Sequence, residues 1–466
     1  MDLRSNLRDM GDRMSEQSSP ESPFLAELFQ TLNEAAIPYC VLRNYENLPH
    51  NLNGSDVDML VREEQLDKAC SLLRAVAGQF KGKCILVASS FRMQKFVFCG
   101  RYSSRWWGVR FDAIPFLGSR GYNMLSADTV LRRSYLHNGV RVANANDAAV
   151  VAFLKEVVCL GRDSRGYYKE ASLAYAQERE LYSRQFKNSL GSRTFEELLD
   201  PLFEGKRKDF RHQRKTLNGS VKWILFRRQP LASLAKTVTR WVKHLRRIWE
   251  PPGFSVAVLG TDGSGKSTII EGISGPLERA LHTRMLYEHL RPNLMPSLAR
   301  LFGRPEPEGP VTNPHGTKPS NFGGSLLRIT YYSLDYIFGY WFKVFPGLVK
   351  RPTIWVFDRY FYDYAMDPRR SRLSLPKWIV KLYSLFIPRP DIILCLGADA
   401  ETIHARKPEI SIEEVRRQVR HLKEFCVKEP RAFWIDTGCE EDESVDRALE
   451  AITSRMAARY GKRNSC

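Results

Sequence analysis

The chain has 466 residues, 43% of them hydrophobic and 26% charged, which excludes a disordered or fibrous protein and calls for two or three domains. Lys and Arg number 71 against 52 Asp and Glu, a formal net charge of +19, so polyanions are the partners to look for: nucleotides, nucleic acid or an anionic membrane surface. Nine cysteines, odd in number and never spaced C-x-x-C, exclude a disulfide framework and a zinc site and fit a cytoplasmic location.

Residues 1–21 are polar and of mixed charge without an apolar run, so a flexible tail is expected rather than a secretory signal. From 22 to 203 helical and strand patterns alternate. "GSDVDMLV" is expected to place Asp56 and Asp58 at alternate positions of one strand, with both carboxylates on the same side. Asp112, in the strand-like run "WWGVRFDAIPF", would complete a three-carboxylate metal site of the kind used in two-metal nucleotidyl transfer. The alternative is an Asp pair in an ordinary turn. "AVVAFLKEVV" at 149–158 reads as a packing helix.

Residues 204–252 are strongly basic. Leu234, Val238, Trp241, Val242, Leu245, Ile248 and Trp249 recur at helical spacing, with Lys236, Arg240, Lys243, Arg246 and Arg247 largely between them. Pro251-Pro252-Gly253 ends this amphipathic helix. It is expected either to pack its apolar stripe on a neighbour, as a linker between domains, or to make a peripheral membrane or polyanion contact.

From 253 to 466 short apolar runs alternate with helical stretches, the pattern of a doubly wound parallel sheet. "GTDGSGKST" matches the phosphate-loop pattern in full, following a buried-strand run at 254–259 and opening a helix. Its residues, Gly260, Thr261, Asp262, Gly263, Ser264, Gly265, Lys266, Ser267 and Thr268, are the candidate nucleotide cradle. Lys266 would reach the β- and γ-phosphates of ATP and Ser267 would ligate Mg²⁺. A second strand over 353–357 carries Asp358 at its carboxyl end, suited to hold the magnesium, with Arg359 beside it to bind a substrate phosphate. Arg406 and Lys407 stand where a basic lid would close over the transferring group. The apolar stretch at 325–349 contains Arg328, Asp335 and Lys343 and reads as a buried helix rather than a membrane span.

"GTDGSGKST", "FDRY", "PDIILCLGAD" and "ARKPE" together resemble the thymidylate kinase family of nucleoside monophosphate kinases. The resemblance implies that Asp262 meets the acceptor's sugar hydroxyl and that Arg359 binds the acceptor phosphate. It further implies that Arg291, in "YEHLRPN", belongs to the substrate site and that Arg406 is a lid arginine. The glutamine-bearing helix that helps recognise thymine in that family has no counterpart in "FYDYAMDPRRSRLSLP", so the acceptor stays open, with Arg369, Arg370 and Arg372 as candidates for reading a more anionic one. Residues 25–160, with "SDVDMLV", resemble the nucleotidyltransferase superfamily. The expected fold is thus α/β: a C-terminal P-loop sheet plus a smaller N-terminal α+β nucleotidyltransferase-like domain. The expected function is an ATP-dependent kinase acting on a nucleotide or other small acceptor, with ATP and Mg²⁺ as cofactors and a homodimer as its assembly. The alternatives are a metal-dependent nucleotidyltransferase with a regulatory P-loop domain, or an NTP-switched docking module.

Overall fold

The computed structural model describes residues 19–90, 92–119, 121–162, 165–204, 210–228, 230–301 and 318–461. The chain divides into two compact units, Met1–His244 and Leu245–Cys466. It is a mixed α/β protein with parallel strand pairs in both main sheets.

The N-terminal unit contains β1 (Tyr39–Val41), β2 (Val57–Val61), β3 (Lys83–Ser90), β4 (Met93–Tyr102), β5 (Arg105–Ile114), β6 (Leu117–Ser119), β7 (Tyr122–Leu125), β8 (Tyr135–His137) and β9 (Val140–Val142). Seven of these form a mixed sheet in the order β3-β4-β5-β2-β1-β9-β8, while β6 and β7 pair separately. Alternation along the strands feeds two cores. Val57, Met59, Phe111 and Ala113 join Phe24, Leu28 and Leu73 from the helices Ser22–Glu34 and Leu66–Gln79. Leu60 and Ile114 belong to the other core, with Val150 and Phe153 of the helix Ala145–Phe153. Asp58 and Asp112 share the parity of that second set.

Three expectations are corrected here. β2 begins at Val57, so Asp56 precedes the strand instead of lying on it, just after Gly54 turns the chain at a φ of +71°. Of the basic region's two helices, Phe210–Arg228 and Pro230–Trp249, the first is no linker: Leu217 and Val221 are buried in the N-terminal core. For that reason the N-terminal unit is the longer of the two, not the smaller. On the second helix the side chains of Lys236, Arg240 and Lys243 lie outside the described residues. Its described apolar positions are exposed rather than packed, Trp249 to 87%.

The C-terminal unit is built on β10 (Phe254–Gly260), β11 (Leu286–His289), β12 (Ile354–Asp358), β13 (Ile392–Gly397) and β14 (Ala432–Asp436), all parallel, in the order β11-β12-β10-β13-β14. Ala257, Leu259, Phe357, Ile393 and Cys395 point into one core with residues of the helices Phe322–Gly339 and Lys377–Ser384. The helices Lys266–Leu281 and Glu441–Gly461 pack together and against the sheet from the other set of positions. In the stretch 325–349 only one face is buried, with Ile329, Asp335 and Tyr336, while Leu327 and Phe342 are exposed. Among the described residues no helix is long and apolar enough to cross a membrane.

Candidate nucleotide-binding site

β10 is buried along its whole length and lies between β12 and β13, where the chain's connections leave in opposite directions. Such a switch point opens a crevice at the carboxyl ends of the strands. Gly260 ends β10 there. A Cβ on it would stand 2.3 Å from Ser264 Oγ and 2.9 Å from the Leu396 carbonyl, so the loop closes only over a glycine. Gly263 and Gly265 take φ values of +84° and +79°, which glycine adopts without strain. The loop thereby delivers the N-terminus of the helix Lys266–Leu281 to the sheet edge, where unpaired N–H groups and the helix dipole favour an anion.

Lys266 donates to the carbonyls of Gly260 (3.1 Å) and Thr261 (2.8 Å) and lies 3.7 Å from Asp262. Burial, then the charge of Arg359, pulls its ammonium down to about 8, against the opposing pull of Asp262, Asp358 and Asp363. Asp262 accepts hydrogen bonds from both Arg359 and Arg370. Burial works to raise its pKa, but Arg359, Lys266 and Arg370 outweigh it and hold the carboxyl well below the usual carboxylate range. Arg359 is buried, has a φ of +74°, and also donates to Asp363 at 2.6 Å. Its amide bonds the Val258 carbonyl at 2.8 Å, the last ladder bond between β12 and β10.

Asp358 ends β12 in register with Val258, at the same edge. Its Oδ2 accepts from the Tyr287 hydroxyl at 3.1 Å and lies 3.4 Å from His289 Nδ1, while its buried Oδ1 has no hydrogen-bond partner among the described residues. Burial raises this carboxyl, but the bond from His289 and the charges of Lys266, His289 and Arg359 bring it below its ordinary value. An orphaned carboxylate oxygen at this edge, with the exposed Ser267 hydroxyl, is a set of hard oxygen donors that fits Mg²⁺.

The structure therefore gathers Asp262, Lys266, Asp358 and Arg359 at one edge. The basic segment lies against the loop: a Cβ on Gly263 would stand 2.8 Å from the Ile403 carbonyl and 3.1 Å from Lys407 Cβ. Arg406 donates to the Thr437 carbonyl at 2.9 Å. Arg291, two residues beyond β11, stands 3.1 Å from the buried Asp335 and over the Tyr332 ring. Of Arg369, Arg370 and Arg372, only Arg370 joins the Asp262 cluster. Sequence reasoning missed Asp363, Tyr287 and His289. Asp363 lies four residues after Arg359, a spacing that pairs charges on one turn. His289 is registered opposite Asp358, which only the strand order reveals.

In the N-terminal unit Asp58 and Asp112 stand opposite each other on neighbouring parallel strands. With Asp56 they offer oxygens within 4.8 Å of one another. The charges around them are the chain's own. Lys155 donates to both oxygens of Asp58 (2.6 and 2.7 Å), and Arg43 donates to Asp58 at 2.5 Å and to Glu156 at 3.0 Å, with Asp56 at 3.8 Å. Lys95, registered opposite Asp112, donates to that carboxylate. Both Asp58 oxygens are thus engaged by cations, so a divalent ion bound through Asp58 displaces Lys155 or Arg43, while the buried Asp112 Oδ1 has no hydrogen-bond partner among the described residues. The signal for Lys155 and Glu156 was the charged pair inside "AFLKEVV", read as a packing helix.

Strand, glycine loop, helix and parallel sheet define a P-loop NTPase-like region in the C-terminal unit. No known family profile matches the chain. It is similar to the uncharacterized ATP-binding protein YghS of Escherichia coli (strain K12), 23% identical over 225 residues, with 43% of this chain and 93% of that protein covered. It is also similar to a solved structure, the thymidylate kinase from Ehrlichia chaffeensis, at 13% identity and a TM-score of 0.30, with 43% of this chain and 98% of that one covered.

Proposed function

We propose that the C-terminal unit is an ATP-dependent phosphotransferase of the nucleoside monophosphate kinase type, passing the γ-phosphoryl group of ATP to a nucleotide or another small anionic acceptor. The observation that carries this reading is the Asp262 cluster. A carboxylate inside the phosphate loop holds two guanidiniums, Arg359 and Arg370, against a loop shaped for the donor's phosphates. The ATP-binding relative supports ATP as donor.

In this reading the loop N–H groups and Lys266 bind the donor's phosphates. Ser267 and Asp358 hold Mg²⁺, which when bound neutralises phosphate charge. Arg359 and Arg370 orient the acceptor's anionic group, and Asp262 keeps both aimed. The acceptor oxygen bonds to the γ-phosphorus as the bridging oxygen leaves with ADP, and Arg406 and Lys407 offset charge on the group in transit.

The test uses the full chain with γ-labelled or α-labelled ATP, Mg²⁺ and a panel of nucleoside monophosphates and sugars. Label is expected to pass from the γ position only and to vanish in Lys266→Ala. A product labelled from the α position assigns nucleotidyl transfer instead, and failure with every nucleoside monophosphate removes the monophosphate kinase assignment.

A further inference from the structure

We propose that the N-terminal unit holds a second ligand site, for an organic phosphate, that works without a metal ion. A cavity of about 700 Å³ shares Lys95 and Lys155 with the carboxylate cluster. Part of its lining is apolar, with Met93, Ile114, Phe116 and Leu154. The rest is basic: Lys95, Lys155, Arg214, Lys215 and Lys222, with no Asp or Glu in the lining.

The two sets of cations differ in what balances them. Lys155 and Lys95 are paired to Asp58 and Asp112. Arg214, Lys215 and Lys222 have no carboxylate partner among the described residues, and all three come from the helix Phe210–Arg228. Arg214, Asn218 and Lys222 repeat at four-residue spacing and share one face. That face is fixed in place. Asn218 Nδ2 donates to the Val158 carbonyl at 3.2 Å, Arg214 Nη1 to the Cys159 carbonyl at 3.5 Å, and Ser119 Oγ to Asn218 Oδ1 at 3.3 Å. Leu217 and Val221, three and seven residues after Arg214, lie beside that face and anchor the helix in the core.

Like charges gathered on one helix face repel each other, so an anion that neutralises them is favoured. A guanidinium beside two ammonium groups suits the several oxygens of a phosphate or diphosphate better than a single carboxylate. The apolar lining adds room for a hydrophobic or aromatic portion of the same molecule. Metal independence follows from Asp58, both of whose oxygens Lys155 and Arg43 already hold, and from Lys95 on one oxygen of Asp112. Both a nucleotide and a lipid phosphate carry this chemistry, and the experiment separates them.

The probes are inorganic pyrophosphate, uridine 5′-diphosphate and farnesyl diphosphate, titrated calorimetrically into the full chain carrying Lys266→Ala, with EDTA and then with Mg²⁺. At least one organic diphosphate is expected to bind in EDTA with a dissociation constant below about 100 μM, and pyrophosphate about tenfold more weakly. Which of the two organic probes is tighter identifies the source. Lys215→Glu with Lys222→Glu, both at exposed positions, should weaken that binding by about tenfold or more while leaving the circular dichroism and unfolding midpoint in place. Four results each overturn the proposal: no binding by any probe, binding that requires Mg²⁺, pyrophosphate binding as tightly as the organic ligands, or binding indifferent to the double charge reversal.

Discussion

Lys266 is a buried ammonium whose pKa lies near 8, so its charge is lost in a range where an ordinary lysine keeps it. Phosphate binding needs the charged form. Affinity for ATP is therefore expected to fall as pH rises past about 8, approaching a tenfold loss per pH unit, while Lys266→Arg stays nearly flat. A fluorescent ATP analogue titrated between pH 7 and 10 checks this, and a flat wild-type profile contradicts it. Stability moves the opposite way. The unfolded lysine, near 10.5, holds a proton that the folded one releases between about 8 and 10.5, so this group opposes folding less as pH climbs through that window. Asp262 makes a complementary case. Asp262→Asn leaves Arg370, and in part Arg359, without its counter-charge beneath the loop and should cost about 3 kcal/mol of stability in denaturant unfolding.

Among the elements, the phosphate loop and its flanking strands were legible because each is a short apolar run bounded by glycine, proline or aspartate. The composition of β10 and its loop permits little else, and Asp358 could be placed at a strand end for the same reason. The helix Phe210–Arg228 was not legible. Its basic residues dominate the segment, and its buried stripe is narrow, Leu217 and Val221 with partly buried Ile224 and Leu225. The two assignments predict different energetics. Leu217 has no exposed surface, so Leu217→Ala should destabilise the N-terminal unit by about 3 kcal/mol through the cavity it leaves. On an exposed linker helix the same change would cost no stability, because alanine is the better helix former. Urea unfolding followed by tryptophan fluorescence decides between them.

For the whole molecule, the contacts that complete each site are the least legible of all, because they join residues far apart in the chain. Arg370 reaches Asp262 across 108 residues, and Lys155 reaches Asp58 across 97. The candidate carboxylates were identifiable from spacing, but the cations that neutralise them depend on strand order and helix placement. Net charge, by contrast, is read directly from composition, and it makes its own prediction. An excess of +19 attracts a multiply charged anion such as ATP from a distance, and that attraction is screened over about 10 Å at 0.1 M salt. The association rate measured by stopped flow should fall about tenfold between roughly 20 and 300 mM salt. Dissociation, governed by short contacts inside the buried loop, should change far less. Screening acts on the approach and not on the docked phosphate, so the two rates separate the field of the molecule from the loop's own grip. An association rate indifferent to salt would mean that the positive excess lies beyond the reach of the loop, leaving Lys266, Arg359 and Arg370 to capture the nucleotide unaided.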